Sequence, residues 1–87
     1  MTIFAVVTPE KNEKLTQKLV ATFEEENVFQ LDDHLTMFSS SDVTSSDVLA
    51  KLGGDAASFG KHIIFAISSY QGFQSQALWL WIKSKGL

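Results

Sequence analysis

The chain predicts a mixed α and β fold with the element order β-α-β-β-α-β and one further segment at the C-terminus. Three observations carry this. Strand-like apolar runs stand at both ends, Ile3-Phe4-Ala5-Val6-Val7 and Ile63-Ile64-Phe65-Ala66-Ile67. Between them, Leu15, Leu19 and Phe23 recur every four residues, the spacing of a helix face. Two short apolar segments flank Asp32-Asp33 closely enough to form a hairpin.

Composition sets the frame. The 87 residues fit one domain, residues 1–87, with a modest core. Hydrophobic residues make up 45% and charged residues 20%, a globular mix. There is no cysteine, so neither disulfides nor thiolate metal sites are possible. All seven basic residues are Lys, and the net charge is −3. A chain without Arg lacks the planar fork that reads phosphates and guanine edges, which argues against a nucleic-acid partner. No apolar run approaches the roughly 20 residues of a membrane helix. The apolar N-terminus is too short for a secretory leader, so no membrane association and a cytoplasmic location are expected.

The first strand spans residues 2–7. Phe4 and Val6 point one way, and Ile3, Ala5 and Val7 point the other. Both sets are apolar, so the strand should be central and covered on both faces. Thr8-Pro9 reads as a helix start, with Thr8 as cap and Pro9 at the first helical position, and the helix is expected over residues 9–25. Glu24-Glu25-Glu26 would then sit at its C-terminus, where the macrodipole disfavours them and fraying is expected. A strand follows at 28–31, with Phe29 and Leu31 on one face. Asp32-Asp33 turns the chain, and a strand returns at 34–39. Thr44 and Asp47 resemble a capping box ahead of a short helix that carries Val48, Leu49 and Leu52. Gly53-Gly54 stops it. A loop at 55–60 precedes the last strand, 62–67.

Residues 77–82 (Ala77-Leu78-Trp79-Leu80-Trp81-Ile82) have no polar break, so their period cannot be read directly. As a strand, Trp79 and Trp81 would share a face. As a helix, Leu78, Trp81 and Ile82 form one stripe and Leu80 is left opposite. Ser75 as cap, with Lys83 and Lys85 in a last turn, favours the helix.

This order matches the ferredoxin-like split βαβ sandwich, here with an added C-terminal helix. There the first and third strands are central and both helices lie on one sheet face. The other face then needs a cover. The C-terminal segment or a second copy of the chain can supply it.

The segments Phe65 to Tyr70 (FAISSY), Gly72, and Trp79 to Lys85 (WLWIKSK), together with the opening TIFAVVT, resemble a set of small bacterial proteins with a similar strand-loop-helix ending. The resemblance covers about half of the chain and implies a shared fold. In topology alone, the chain resembles the ferredoxin-like dimers of CRISPR-associated endoribonucleases and toxin–antitoxin proteins. Those nucleases carry an Asp at the end of the first strand. This chain has Thr8-Pro9 there, with Glu10 the nearest acid, which argues against metal-dependent cleavage.

No catalytic set stands out. His34 with Asp32 and Asp33 has the residue types of a metal or acid–base cluster, but also those of an ordinary turn. His62 with Ser68 or Ser69 and an Asp makes a triad on paper, without a G-x-S-x-G elbow. Gly53, Gly54 and Gly60 match no phosphate-loop spacing. The expectation is no catalytic residue, no metal and no cofactor. Ser68, Ser69, Tyr70, Gln71 and Gly72 form the best ligand-binding candidate, a polar loop at a strand end. Leu80, Trp79, Trp81 and Phe73 form the candidate interface, because an all-round apolar helix cannot hide every side chain against its own sheet. The fourth strand adds to it: in the ferredoxin-like order it lies at a sheet edge, yet Ile63, Ile64, Phe65 and Ile67 make it the most apolar strand, and exposed apolar edges invite pairing.

The functional expectation is a non-enzymatic interaction module, homodimeric, that binds or modulates another protein. Antitoxins and modulators of defence are the analogous small proteins. The alternative is a small-ligand or nucleotide-binding domain, or a degenerate nuclease, using the loop at 68–72.

Overall fold

A computed structural model describes residues 2–42, 44–53, 56–69, 71–72 and 76–85. In chain order they form β1 (Thr2–Val7), α1 (Glu13–Phe23), β2 (Val28–Gln30), β3 (Leu35–Ser40), α2 (Ser45–Lys51), β4 (Ile63–Ile67) and α3 (Gln76–Ser84). Single 3-10 turns at Glu25–Asn27 and Ala56–Phe59 join them. The architecture is mixed α and β, a four-stranded antiparallel sheet with three α-helices among the described residues. The strand order is β2-β3-β1-β4.

β1 is central, and its alternation builds two cores. Phe4 and Val6 enter a cluster with Leu15, Leu19 and Phe23 of α1, Phe38 of β3, Val48 of α2, and Leu52 and Phe59. Phe38 stacks between Phe4, at 5.2 Å, and Phe23, at 4.7 Å. On the opposite face Ile3 joins Met37 of β3 with Leu78 and Ile82 of α3. The C-terminal helix is therefore the cover that the second face requires. Residues 77–82 are helical because Leu78 and Ile82, one turn apart, both reach that face.

The start of α1 differs from the expected one. Asn12 is its cap, and the Asn12 side-chain oxygen accepts the Leu15 N–H at 3.0 Å. Thr8 stays with the sheet. Its N–H donates to the His34 carbonyl at 2.9 Å and its hydroxyl to the Asp33 carbonyl at 3.0 Å. With both groups committed there, the chain turns into the helix four residues later. The far end is also earlier than expected. Glu24 stands at φ +74° and closes α1, and its N–H donates to the Val20 carbonyl at 2.9 Å. Glu25 and Glu26 thus lie outside the helix, which relieves the conflict with its macrodipole.

Other boundaries are close to expectation. The Thr44 side chain accepts the Asp47 N–H at 3.2 Å, which caps α2. The Gly53 N–H donates to the Ala50 carbonyl at 3.1 Å, and its φ of +108° suits a residue without Cβ. Gly54 and the proposed Ser75 cap lie outside the described residues.

Candidate functional site

Among the described residues, the large exposed apolar side chains fall in two places. Val7, Ile63 and Phe65 are 41%, 58% and 51% exposed, and Leu80 is 60% exposed. The first three share one place because of register. β4 pairs antiparallel with β1, setting Val7 opposite Ile63, Ala5 opposite Phe65 and Ile3 opposite Ile67. Residues directly opposite each other in such a pair lie on the same sheet face. That face is the one α3 packs on, where Leu78 and Ile82 meet Ile3 and Met37 and Ile67 packs alongside. Val7, Ile63 and Phe65 are left exposed on it.

β4 is also an outer strand of the sheet. Outer strands are commonly protected by Lys, Pro, a bulge or shortness. Residues 62–69 of this chain contain no Lys, Arg, Asp, Glu or Pro. On the other sheet face Ile64 packs on the first core while Ala66 is exposed. A shallow groove of about 250 Å³ runs beside it, lined by Ser45, Ser46, Leu49, His62 and Ile64. The bare strand edge is thus bordered by uncharged side chains on both faces. The opposite sheet edge, β2, is only three residues long.

Leu80 is a separate spot. In a helix it lies about 200° around from Leu78, and so points away from the sheet. Trp79 and Trp81 are half-buried and pack on the second core. Trp81 is engaged within its own fold. Its ring meets Phe29 at 5.8 Å, its indole N–H donates to the Glu26 carbonyl at 3.4 Å, and the Lys85 ammonium stands 5.9 Å from its centre. Phe73 lies outside the described residues.

In the loop after β4, Ser68, Ser69, Gln71 and Gly72 are exposed, and Tyr70 lies outside the described residues. His62 precedes β4 and Ser68 follows it, so about 20 Å of extended strand separates them. A shared catalytic set is therefore ruled out for that pair. The His62 ring instead stands 2.8 Å from the Gly60 carbonyl. Around His34, Asp32 acts as a turn-former. One of its carboxylate oxygens accepts the N–H groups of His34, at 2.8 Å, and Leu35, at 2.9 Å. The His34 ring reaches the Thr8 carbonyl at 3.2 Å. Among the described residues no three His, Asp or Glu side chains converge as metal ligands. A polar cleft of about 600 Å³ opens between the loop before α1 and the loop before β4, lined by Pro9, Glu10, Lys11, Asn12, Phe59, Gly60 and Lys61. The Asn12 side-chain amide donates to the Phe59 carbonyl and ties the two loops together.

Ile63 and Phe65 belong to the apolar edge strand that the sequence pointed to, and Val7 beside them is the residue that sequence reasoning placed on a covered face. The signal was present, since β4 is at once the most apolar strand and an outer one. The missing piece was how far α3 reaches across the face. Among the described residues no helix is long and apolar enough to cross a membrane. In comparisons with known proteins, no family model, curated protein or solved structure matches the chain.

Proposed function

We propose that this chain is a non-enzymatic interaction module, homodimeric, that binds or modulates another protein. The observation that carries the reading is the bare β4 edge with Ile63 and Phe65 beside it, more than half exposed. A small domain gains stability by burying such side chains, and β-augmentation uses an unguarded edge. We also read the fold as the ferredoxin-like sandwich with an added helix. The antiparallel order β2-β3-β1-β4, with β1 and β3 central, supports this. The analogy to antitoxins and defence modulators rests on that fold reading alone.

A second reading is a small polar ligand held by the loop at 68–72. It draws on Ser68, Ser69 and Gln71 standing exposed together at the end of β4. Co-purification with mass spectrometry separates the two. A stoichiometric protein partner, retained by the wild type and lost in Phe65→Lys, supports the interaction module. A retained small molecule or nucleic acid, with no protein dependent on Phe65, overturns it.

A further inference from the structure

We infer that two copies of this chain join edge to edge, β4 against β4 running antiparallel, about a two-fold axis at Phe65. The inference rests on the interaction-module reading and adds the occupant and the register. A two-fold contact needs a surface complementary to itself. The sequence of β4, Ile63-Ile64-Phe65-Ala66-Ile67, has that property about its middle residue. With Phe65 opposite Phe65 of the other copy, Ile63 faces Ile67 and Ile64 faces Ala66. All five residues then meet apolar partners, and the small Ala66 leaves room for Ile64.

Neighbouring registers fail. Centring on Ile64 sets Lys61 against Ile67 and His62 against Ala66. Centring on Ala66 sets Ile63 against Ser69 and Ile64 against Ser68. Because side chains alternate with period two, the Phe65 register puts Ile63, Phe65 and Ile67 of both copies on one face. That is the α3 face, where Ile67 is already packed and Ile63 is bare. Each copy's covered end thus lies beside the other's uncovered end.

Charge permits the contact. The chain carries a net −3, yet residues 62–69 contain no Lys, Arg, Asp or Glu. Lys61 of one copy falls opposite Ser69 of the other, so the two ammonium groups stand at opposite ends of the paired strands. Area sets the strength. Five residues of edge with their bordering side chains fall short of the roughly 800 Å² per partner of a standard interface, so a dissociation constant of micromolar order is expected.

The chain's lack of cysteine makes the test direct. Sedimentation equilibrium on the wild type should show a monomer–dimer exchange. In Phe65→Lys like charges would face each other on the axis, and the affinity should fall by about tenfold or more. Phe65 is half exposed on an outer strand, and far-ultraviolet circular dichroism checks that the variant folds. Cross-linking with a short bismaleimide is independent of that variant. Phe65→Cys should link to itself faster than Leu80→Cys, and Ile63→Cys mixed with Ile67→Cys faster than either alone. A wild type monomeric at about 1 mM overturns the pairing. So does a dimer that links through Leu80→Cys and not through Phe65→Cys. A monomeric wild type that still holds a Phe65-dependent protein partner overturns the pairing of copies, and with it the homodimer, and leaves only the protein-binding part of the interaction-module reading standing.

Discussion

Asp42 shows how much a single side chain can be made to do in a small domain. It follows β3, and one of its carboxylate oxygens takes the Ser40 hydroxyl at 2.5 Å and the Lys51 ammonium at 3.0 Å. The Ser40 hydrogen bond first, and the Lys51 contact second, hold its pKa below the ordinary 3.8. A carboxyl with a lowered folded value stabilises the fold above its unfolded value. That contribution disappears as pH falls through the lowered value. Urea denaturation should therefore show the wild type more stable than Asp42→Asn at pH 7, with the gap narrowing from about pH 4 downward. A gap independent of pH would show that Asp42 acts through packing alone. Asp32 works on the same scale, and its role as a turn residue was legible from Asp32-Asp33 between two strands. The cap of α1 was not. Thr8 and Asn12 are both good cap residues by type, and only the commitment of Thr8 to the His34 and Asp33 carbonyls decides between them.

At the scale of elements, the strands and helices were legible wherever one period dominated. The two apolar faces of β1 announced a central strand, and α1 showed its stripe plainly. α3 did not, because Leu80 fills the position where a polar residue would have marked its outer side. Its phase comes from contacts, with Leu78 and Ile82 inward on Ile3 and Met37 and Leu80 outward. This phase has a thermodynamic signature. Ile82→Ala should destabilise the protein by about 2–5 kcal/mol, and Leu80→Ala by about 0.5 kcal/mol or less, as measured by urea denaturation. Equal losses would mean that the helix is rotated from the position described. The candidate interface was legible in part for the same reason. An over-apolar helix pointed to Leu80, but the extent of sheet left open beyond that helix depends on where α3 lies, which no local pattern encodes.

For the whole molecule, the end of β1 is where a metal-dependent ferredoxin-like nuclease would place its carboxylate. Here Thr8 stands there with its hydroxyl tied to the hairpin, and Glu10 is exposed on the following loop. Incubation with RNA or DNA in Mg²⁺ or Mn²⁺ should give no cleavage. Cleavage that disappears in Glu10→Ala would contradict this. The two margins of the sheet differ in a way that bears on how many copies can assemble. β4 is bare along five residues, whereas β2 offers three, next to Glu25 and Glu26. A sheet with two open margins can add copies without limit and grow into a fibril. This one has a single margin able to propagate, and a β4 pair uses both copies' margins at once. In the β4 pair inferred above, what remains at either outer end would be short and acid-flanked, so assembly through the sheet would stop at two.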